Sequence, residues 1–553
     1  MRSIPLALVL LAQAAALPAF AQTKIADPAR MDAVIKTLAS DAFEGRSPGS
    51  AGEAKTVDYL IGQFKAVGLQ PAGDKGTFVQ DVPLLHTQIQ SGATFSYAAK
   101  GASTPLAQVQ ELYAISLQPK DRVAIKDAPL VFVGYGVTAP ERGWDDFKGV
   151  DLKGKVAVIL INDPDFEAKA GEPVAGKFGG QAMTYYGRWI YKFEEAARRG
   201  AVAALIIHET PGAGYGWSTV TAPGGEGFDI VRADPAKEKV QLQAWVTREA
   251  GAALLAKAGL DLETLKVQAR TAAFKPVPLD GVTFSADFGL AHDQVMSYNI
   301  VGKLPGKGHP DESVMFSAHW DAFGIGAPDA TGDRIRRGAA DDGTGIAGVL
   351  ELARAFKALG PTDRTTVYAA WTAEERGLLG SELYGLHPTV SLPKMAANFT
   401  MDTLQTAGPS HDVVLIGYGQ NQLDEMLAKA AAGQDRTVTP DAHPERGLFY
   451  RADHFPLAKH GVPVLLLMGL GGGPDLVKGG RPAGEAWVNA FTANCYHKAC
   501  DAWRPDWDLT GAAQDVDLLY VMGKEIATSR IWPQWKAGSE FKPVRDATAA
   551  ERR

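Results

Sequence analysis

"RTTVYAAWTAEERGLLGSELY", residues 364–384, runs the apolar stretch "TTVYAAW", through Thr372-Ala373, into two adjacent glutamates, Glu374 and Glu375, and then into a helical pattern. The first eight residues read as a buried strand, because a β-branched and aromatic run without polar alternation suits a strand covered on both faces. Two like charges where that strand stops need an explanation. Outward from this stretch the same texture repeats: "NIVGKL", "SVMFSA", "AANFTM" and "GVPVLLLM" read as strands, and "DDGTGIAGVLELARAFKAL" as a helix between two of them. Strands alternating with helices predict an α/β fold with a mostly parallel mixed sheet flanked by helices.

In open α/β sheets, ligands bind beyond the carboxyl ends of the strands. The residues at those ends are therefore the informative ones. "SVMFSA" leads to His319 and Asp321, "TTVYAAW" to Glu374 and Glu375, and "AANFTM" to Asp402, while the turn "GAADDGTG" carries Asp341 and Asp342 into a helix. Singly, each has an ordinary structural reading as a packed histidine, a helix cap or a solvated pair. Together they are all carboxylates or imidazoles, and so many acids in one cleft repel unless a cation is present. Mixed His and carboxylate donors suit zinc, with manganese or cobalt acceptable to the same set. Five ligands with one bridging carboxylate would serve two ions about 3.5 to 4 Å apart.

The chain has 553 residues, 46% hydrophobic and 22% charged, which is ordinary globular composition. Its first 21 residues carry one early cation, an apolar stretch and the small-x-small site Ala19-Phe20-Ala21, the pattern of a cleaved signal peptide. The apolar stretch is too short to span a bilayer, so we expect an exported protein, periplasmic or extracellular, with no membrane anchor after cleavage. Cleavage removes only Arg2 among the charges and leaves a net −8, which argues against nucleic acid as a partner. The two cysteines, Cys495 and Cys500, sit in "NCYHKAC"; in an oxidising compartment they read as a short disulfide loop, with two free thiols as the alternative. Between them stands His497.

Along the chain, residues 28–69 read as two helices around the turn "FEGRSPGSAG", and from about residue 105 short β-like runs such as "APLVFVGYGV", "GKVAVILIND" and "KVQLQAWV" form a separate texture that changes again near Asn299. The polar residues 536–553 read as a loose tail.

"SAHWD", "GAADDGTG", "TAEERGLLGS", "MDT" and "CYHKACD", in this order, resemble the motifs of the clan MH co-catalytic zinc exopeptidases, and "SDAFEGRSPGSAG" resembles that family's opening segment. "FVGYGV", "DLKGKVAVIL" and "AARRGAVAALIIHE" are similar to the protease-associated domain often inserted in these enzymes. The resemblance implies the zinc exopeptidase fold as a discontinuous domain, 22–110 and 290–535, interrupted by a β-rich insert at 111–289. It implies His319 and Asp402 on one zinc, Glu375 and His497 on the other, and Asp341 bridging, with Asp321 fixing the His319 tautomer and a cis bond between Asp341 and Asp342. Glu374 would be the general base toward a water shared by the ions, and Tyr496 would donate to the oxyanion, unless it merely packs. Asp342 and Asp453 would stand behind the ligands. Two departures occur: Ala322 where many relatives have histidine, and Asp342 where many have asparagine.

The implied activity is that of a secreted zinc exopeptidase acting on peptides or proteins, an aminopeptidase rather than a carboxypeptidase. Alternatives are a one-zinc glutaminyl cyclase and a non-catalytic peptide-binding relative like the transferrin receptor. Oligomeric state is not legible. "GYGVTA" at Gly134 is followed by Pro140 and Gly143 and cannot open a dinucleotide-binding helix, "HETPG" at His208 lacks a second histidine, and no GxSxG occurs. Arg334, Arg336 and Arg337 precede the acidic turn, where one could hold a substrate carboxylate.

Overall fold

The computed structural model describes residues 24–222 and 224–552, so the leader-like residues 1–21 lie outside the described residues. The elements that position the site are helices α1 (Pro28–Leu38) and α2 (Ala51–Val67), and strands β1 (Val79–Ile89), β2 (Arg122–Phe132), β3 (Val156–Leu160), β4 (Ala203–His208), β5 (Leu242–Thr247), β6 (Val277–Leu304) and β7 (His309–His319). They are followed by helix α3 (Gly343–Leu359), strand β8 (Arg364–Trp371), helix α4 (Leu379–Leu386), strands β9 (Met395–Asp402), β10 (Asp412–Ile416) and β11 (Val464–Met468), and helices α5 (Gly480–Asn494) and α6 (Thr510–Ala527).

At the centre, β8, β7, β9 and β11 lie side by side and parallel. β10 joins β11 antiparallel, and β6 joins β8 antiparallel before pairing with β1 over eleven positions. The sheet is therefore mixed with a parallel core. All eight residues of β8 and of β9 are buried. Tyr368 and Ala370 of β8 point into the layer formed by α1, α3 and α6, whereas Val367, Ala369 and Trp371 enter the opposite layer with Tyr384, Phe455 and Phe541. This double burial is why the strands read as continuous apolar runs.

Helix α3 starts where the sequence places it: Asp342 is the N-cap, its side chain accepting from Gly345 N, and Gly360 closes the other end. The chain passes from β7 to β8 on one side and then to β9 on the other. Their carboxyl ends consequently flank a point where the connections diverge, the place where such sheets bind ligands.

A second sheet is built on parallel β3, β4 and β5, with β2 beside β3. It has its own core, including Leu205, Ile207, Leu254 and Phe284. The boundary expected at 289/290 falls inside β6, which runs unbroken for 28 residues and pairs in both sheets. Residues 94–105, expected outside the insert, belong to this second sheet instead: 94–99 pair with β6, and 102–105 pair with 96–99. Buried and less buried residues alternate from Val282 to Leu290, none of residues 291–296 is buried, and burial resumes at Ser297, while the strand itself does not break.

The stretch 536–553, expected as a loose tail, is anchored at several of its described residues. Lys542–Ala547 is helical, Phe541 sits in the apolar layer, and Arg545 is buried beneath Pro393 and Trp532. Few apolar residues carry that packing, which is why composition alone suggested a tail. Among the described residues no helix is long and apolar enough to cross a membrane.

Candidate metal centre

His319 ends β7, Asp402 ends β9, and Glu374 and Glu375 follow β8 by two residues. The chain leaves these strands abruptly. Ala373, Thr403 and His497 all adopt left-handed backbone with φ of 52°, 49° and 61°. Such non-glycine residues cost about 1–3 kcal/mol each and persist where surroundings fix them. The bond between Asp341 and Asp342 is cis.

These turns bring the strand ends together. His319 Nε2 lies 3.1 Å from Asp341 Oδ1, 3.9 Å from Glu374 and 4.0 Å from Asp402. His497 Nε2 lies 3.1 Å from Glu375 Oε2 and 3.4 Å from Asp341 Oδ2. Asp341 thus turns one oxygen to each histidine. Potential ligand atoms of His319, Glu374 and Asp402 all lie within 4.8 Å of one another, as do those of Asp341, Glu375 and His497. Of the expected ligands every one is at the centre; Glu374, expected as the base, also stands close enough to ligate.

The electrostatics are those of a site short of positive charge. Burial, then the charges of Asp341 and Glu374, holds Glu375 well above the usual carboxylate range, and burial does the same to Glu374. Asp402 is pushed up to about 7 by burial and by Asp341. Burial would also raise Asp341, but its hydrogen bonds to His319 and His497 outweigh that and pull it down. Burial opposes charging of His319, yet Glu374, Asp321 and Asp341 overcome it and raise its pKa strongly. Glu375 Oε1 is buried without a partner. The orphaned oxygen, the mixed imidazole and carboxylate donors and the mutual repulsion all fit divalent cations.

Behind the ligands, Asp342 is a fixing point. Its Oδ1 accepts from Gly345 N at 2.8 Å and Thr403 N at 3.1 Å, and its Oδ2 from His319 N at 3.3 Å, tying α3 to the ends of β7 and β9. Asp321 offers its backbone oxygen to His319 Nδ1 at 3.1 Å, with Oδ1 farther away at 3.6 Å; the carboxylate accepts instead from Glu374 N at 3.0 Å. It therefore places the glutamate backbone as well as the imidazole. Asp453 accepts from Ser381 Oγ at 2.5 Å and makes no hydrogen bond to a candidate ligand. Tyr496 stacks on His497 with ring centroids 3.7 Å apart. Cys495 and Cys500 are joined in a disulfide, with Cα atoms 4.9 Å apart, closing the loop that carries His497. Of the three arginines before the acidic turn, Arg337 pairs with Asp41 and Asp333, Arg334 Nε donates to Gly326 O, and Arg336 borders the small cavity beside Asp341, Glu375 and His497.

Residues 299–521 match the Peptidase family M28 model. The M28 span contains every candidate ligand, Glu374 and Tyr496, and the motif-based family resemblance is borne out across it. Leupeptin-inactivating enzyme 1 of Streptomyces exfoliatus is 30% identical over 214 residues, 37% of this chain and 43% of that protein. Aminopeptidase YwaD of Bacillus subtilis is 35% identical over 114 residues, 20% of this chain and 22% of that protein. The chain thus spans less than half the length of these relatives. Among solved structures, an aminopeptidase from Aneurinibacillus sp. strain AM-1 aligns over 90% of this chain and 93% of its own at 20% identity, with a TM-score of 0.48.

Two residues around the site were not singled out from sequence. Asp501 accepts from Ala340 N at 2.8 Å and Asp341 N at 3.1 Å, holding the backbone of the central aspartate. Arg46, fully buried, donates to the carbonyls of Leu38, Trp320, Arg337 and Gly338 at 2.5 to 2.9 Å, clamping the loops after β7 and before α3. Both lie in quoted motifs, "CYHKACD" and "FEGRSPGSAG". Their partners are backbone atoms, which leave no mark in a sequence.

Proposed function

We propose that the chain is an exported dizinc exopeptidase that removes N-terminal residues from peptides. The observation that carries this reading is Asp341, whose two carboxylate oxygens face His319 and His497 and so divide the donors into two sets. In this reading His319, Asp402 and Asp341 would hold one ion, and Glu375, His497 and Asp341 the other; manganese or cobalt would suit the same donors. When bound, the ions supply Lewis acidity to a carbonyl and lower the pKa of water.

The rest is the work of side chains. Glu374 is 10% exposed and would lose its proton once cations offset the neighbouring carboxylates. Its carboxylate would then take a proton from the attacking water and return it to the departing amine nitrogen. The Tyr496 hydroxyl would donate to the carbonyl oxygen as charge gathers there. Asp321 and Asp501 keep the backbones of Glu374 and Asp341 in place. The second sheet would be a protease-associated insert beside the site. The similarity to aminopeptidase YwaD supports a peptide substrate with a free N-terminus. The leader-like residues 1–21 support export.

Glu374→Gln tests the assignment. The expected protein keeps two zinc ions and loses about a hundredfold or more in kcat on aminoacyl amides. Loss of one ion with the activity would make Glu374 a ligand, and full activity would remove it from the mechanism.

A further inference from the structure

Between β4 and β5 the chain leaves the second sheet and adds the strand Glu226–Ile230 to the edge of β1, with Phe228 opposite His86. Arg232 donates to both carboxylate oxygens of Asp229, at 2.7 and 2.8 Å, and so fixes the end of this strand. Phe228 and Ile230 share an apolar cluster with Ala373, Leu379 and Leu383, residues that bracket the turn bearing Glu374 and Glu375. That turn is left-handed at Ala373, Gly377 and Leu378, so its form depends on what packs around it.

Arg376, the residue after Glu375, joins the turn to its surroundings. Its guanidinium carbon lies 4.7 Å from the ring centre of Phe228 and 5.3 Å from that of Phe323, and its side chain reaches within 3.7 Å of Glu226. Phe323 lies 4.6 Å, centre to centre, from the ring of His497, and Phe228 stacks on His86 at 4.7 Å. A cation between two aromatic rings is held by electrostatic attraction as well as by packing. His497 is the candidate ligand most in need of such support: its side chain is 34% exposed, against 6% or less for His319, Asp341, Glu375 and Asp402.

We propose that Arg376 is a positioning residue: clasped by Phe228 and Glu226 and seated against Phe323, it lets the segment between β4 and β5 hold Glu375 and His497 at the spacing of the second ion. The inference rests on the dizinc reading above, and it gives the insert a part in retaining metal.

Zinc affinities of the full chain, read by competition with a chromogenic chelator, test it in Arg376→Met, Phe228→Leu and Phe228→Tyr. The first two should weaken one ion by about tenfold and leave the other unchanged, whereas Phe228→Tyr, which keeps the aromatic face, should bind both as the unmodified chain does. In a His497→Ala background Arg376→Met should not alter the affinity of the remaining ion. Equal weakening of both ions, or unchanged affinities in Arg376→Met and Phe228→Leu, overturns the proposal. Hydrogen exchange on the unmodified chain needs no variant to fold: if residues 226–230 support the ion, the ion supports them, and their amides should exchange faster once chelator strips the zinc. Exchange there that zinc does not affect also overturns the proposal. An unmodified chain that binds a single ion removes the dizinc reading and this inference with it, whereas two ions with unaltered affinities in the variants remove the inference alone.

Discussion

Asp501 offers a stability test of the buried charge around the centre. Burial pushes its pKa from the ordinary 3.8 up to about 7, against two backbone donors and Arg46 that pull the other way. A carboxyl whose folded pKa is raised stabilises the fold fully below its ordinary pKa and loses that contribution as pH rises through the folded value. At about 1.4 kcal/mol per unit, a shift of roughly three units is worth about 4 kcal/mol in all, of which about 2.5 kcal/mol falls between pH 5 and pH 8. Asp501→Asn cannot ionise. It gives up one acceptor, a nearly constant offset of about 1–2 kcal/mol, but removes the slope. Urea unfolding of the chelator-treated protein at pH 5, 6, 7 and 8 would show the native chain losing about 2.5 kcal/mol more than the variant over that range. Two profiles that run parallel would refute the argument that burial dominates at Asp501.

Other outcomes follow from the same geometry. Arg46→Met would leave four buried carbonyls without their donor and destabilise the protein by about 3–6 kcal/mol in urea unfolding, with weaker zinc retention on dialysis. Zinc must displace protons held by Asp402, at about 7, and by the raised Glu375. Affinity should therefore fall as pH drops from 8 to 6, and calorimetry in buffers of different ionisation enthalpy should register proton release. Substitution of both cysteines by serine would free the loop bearing His497 and weaken the second ion by about tenfold or more, read by competition with a chromogenic chelator.

The parallel core was legible because β8 and β9 are buried on both faces and carry no polar alternation, and His319, Asp341, Glu375 and Asp402 because each stands at or just after a strand end or in the turn before α3; His497, in the disulfide loop between α5 and α6, was legible through the motif around it. The passage from one sheet to the other was not, since β6 runs as one unbroken strand through both. Arg46 and Asp501 escaped notice because what they hold is backbone. The C-terminal segment escaped because Phe541 and the buried Arg545 anchor it within a polar composition. Asp321 shows an intermediate case: its nearness to His319 could be expected from two-residue spacing, while its hydrogen bond to Glu374 N joins strand ends 53 positions apart.

Zinc content per chain addresses the central claim most directly. Mass spectrometry of the metal-loaded, gel-filtered protein should find two ions, and one in His497→Ala. One ion in the native chain, or a count that His497→Ala leaves unchanged, would contradict an arrangement in which Asp341 divides the donors between two cations.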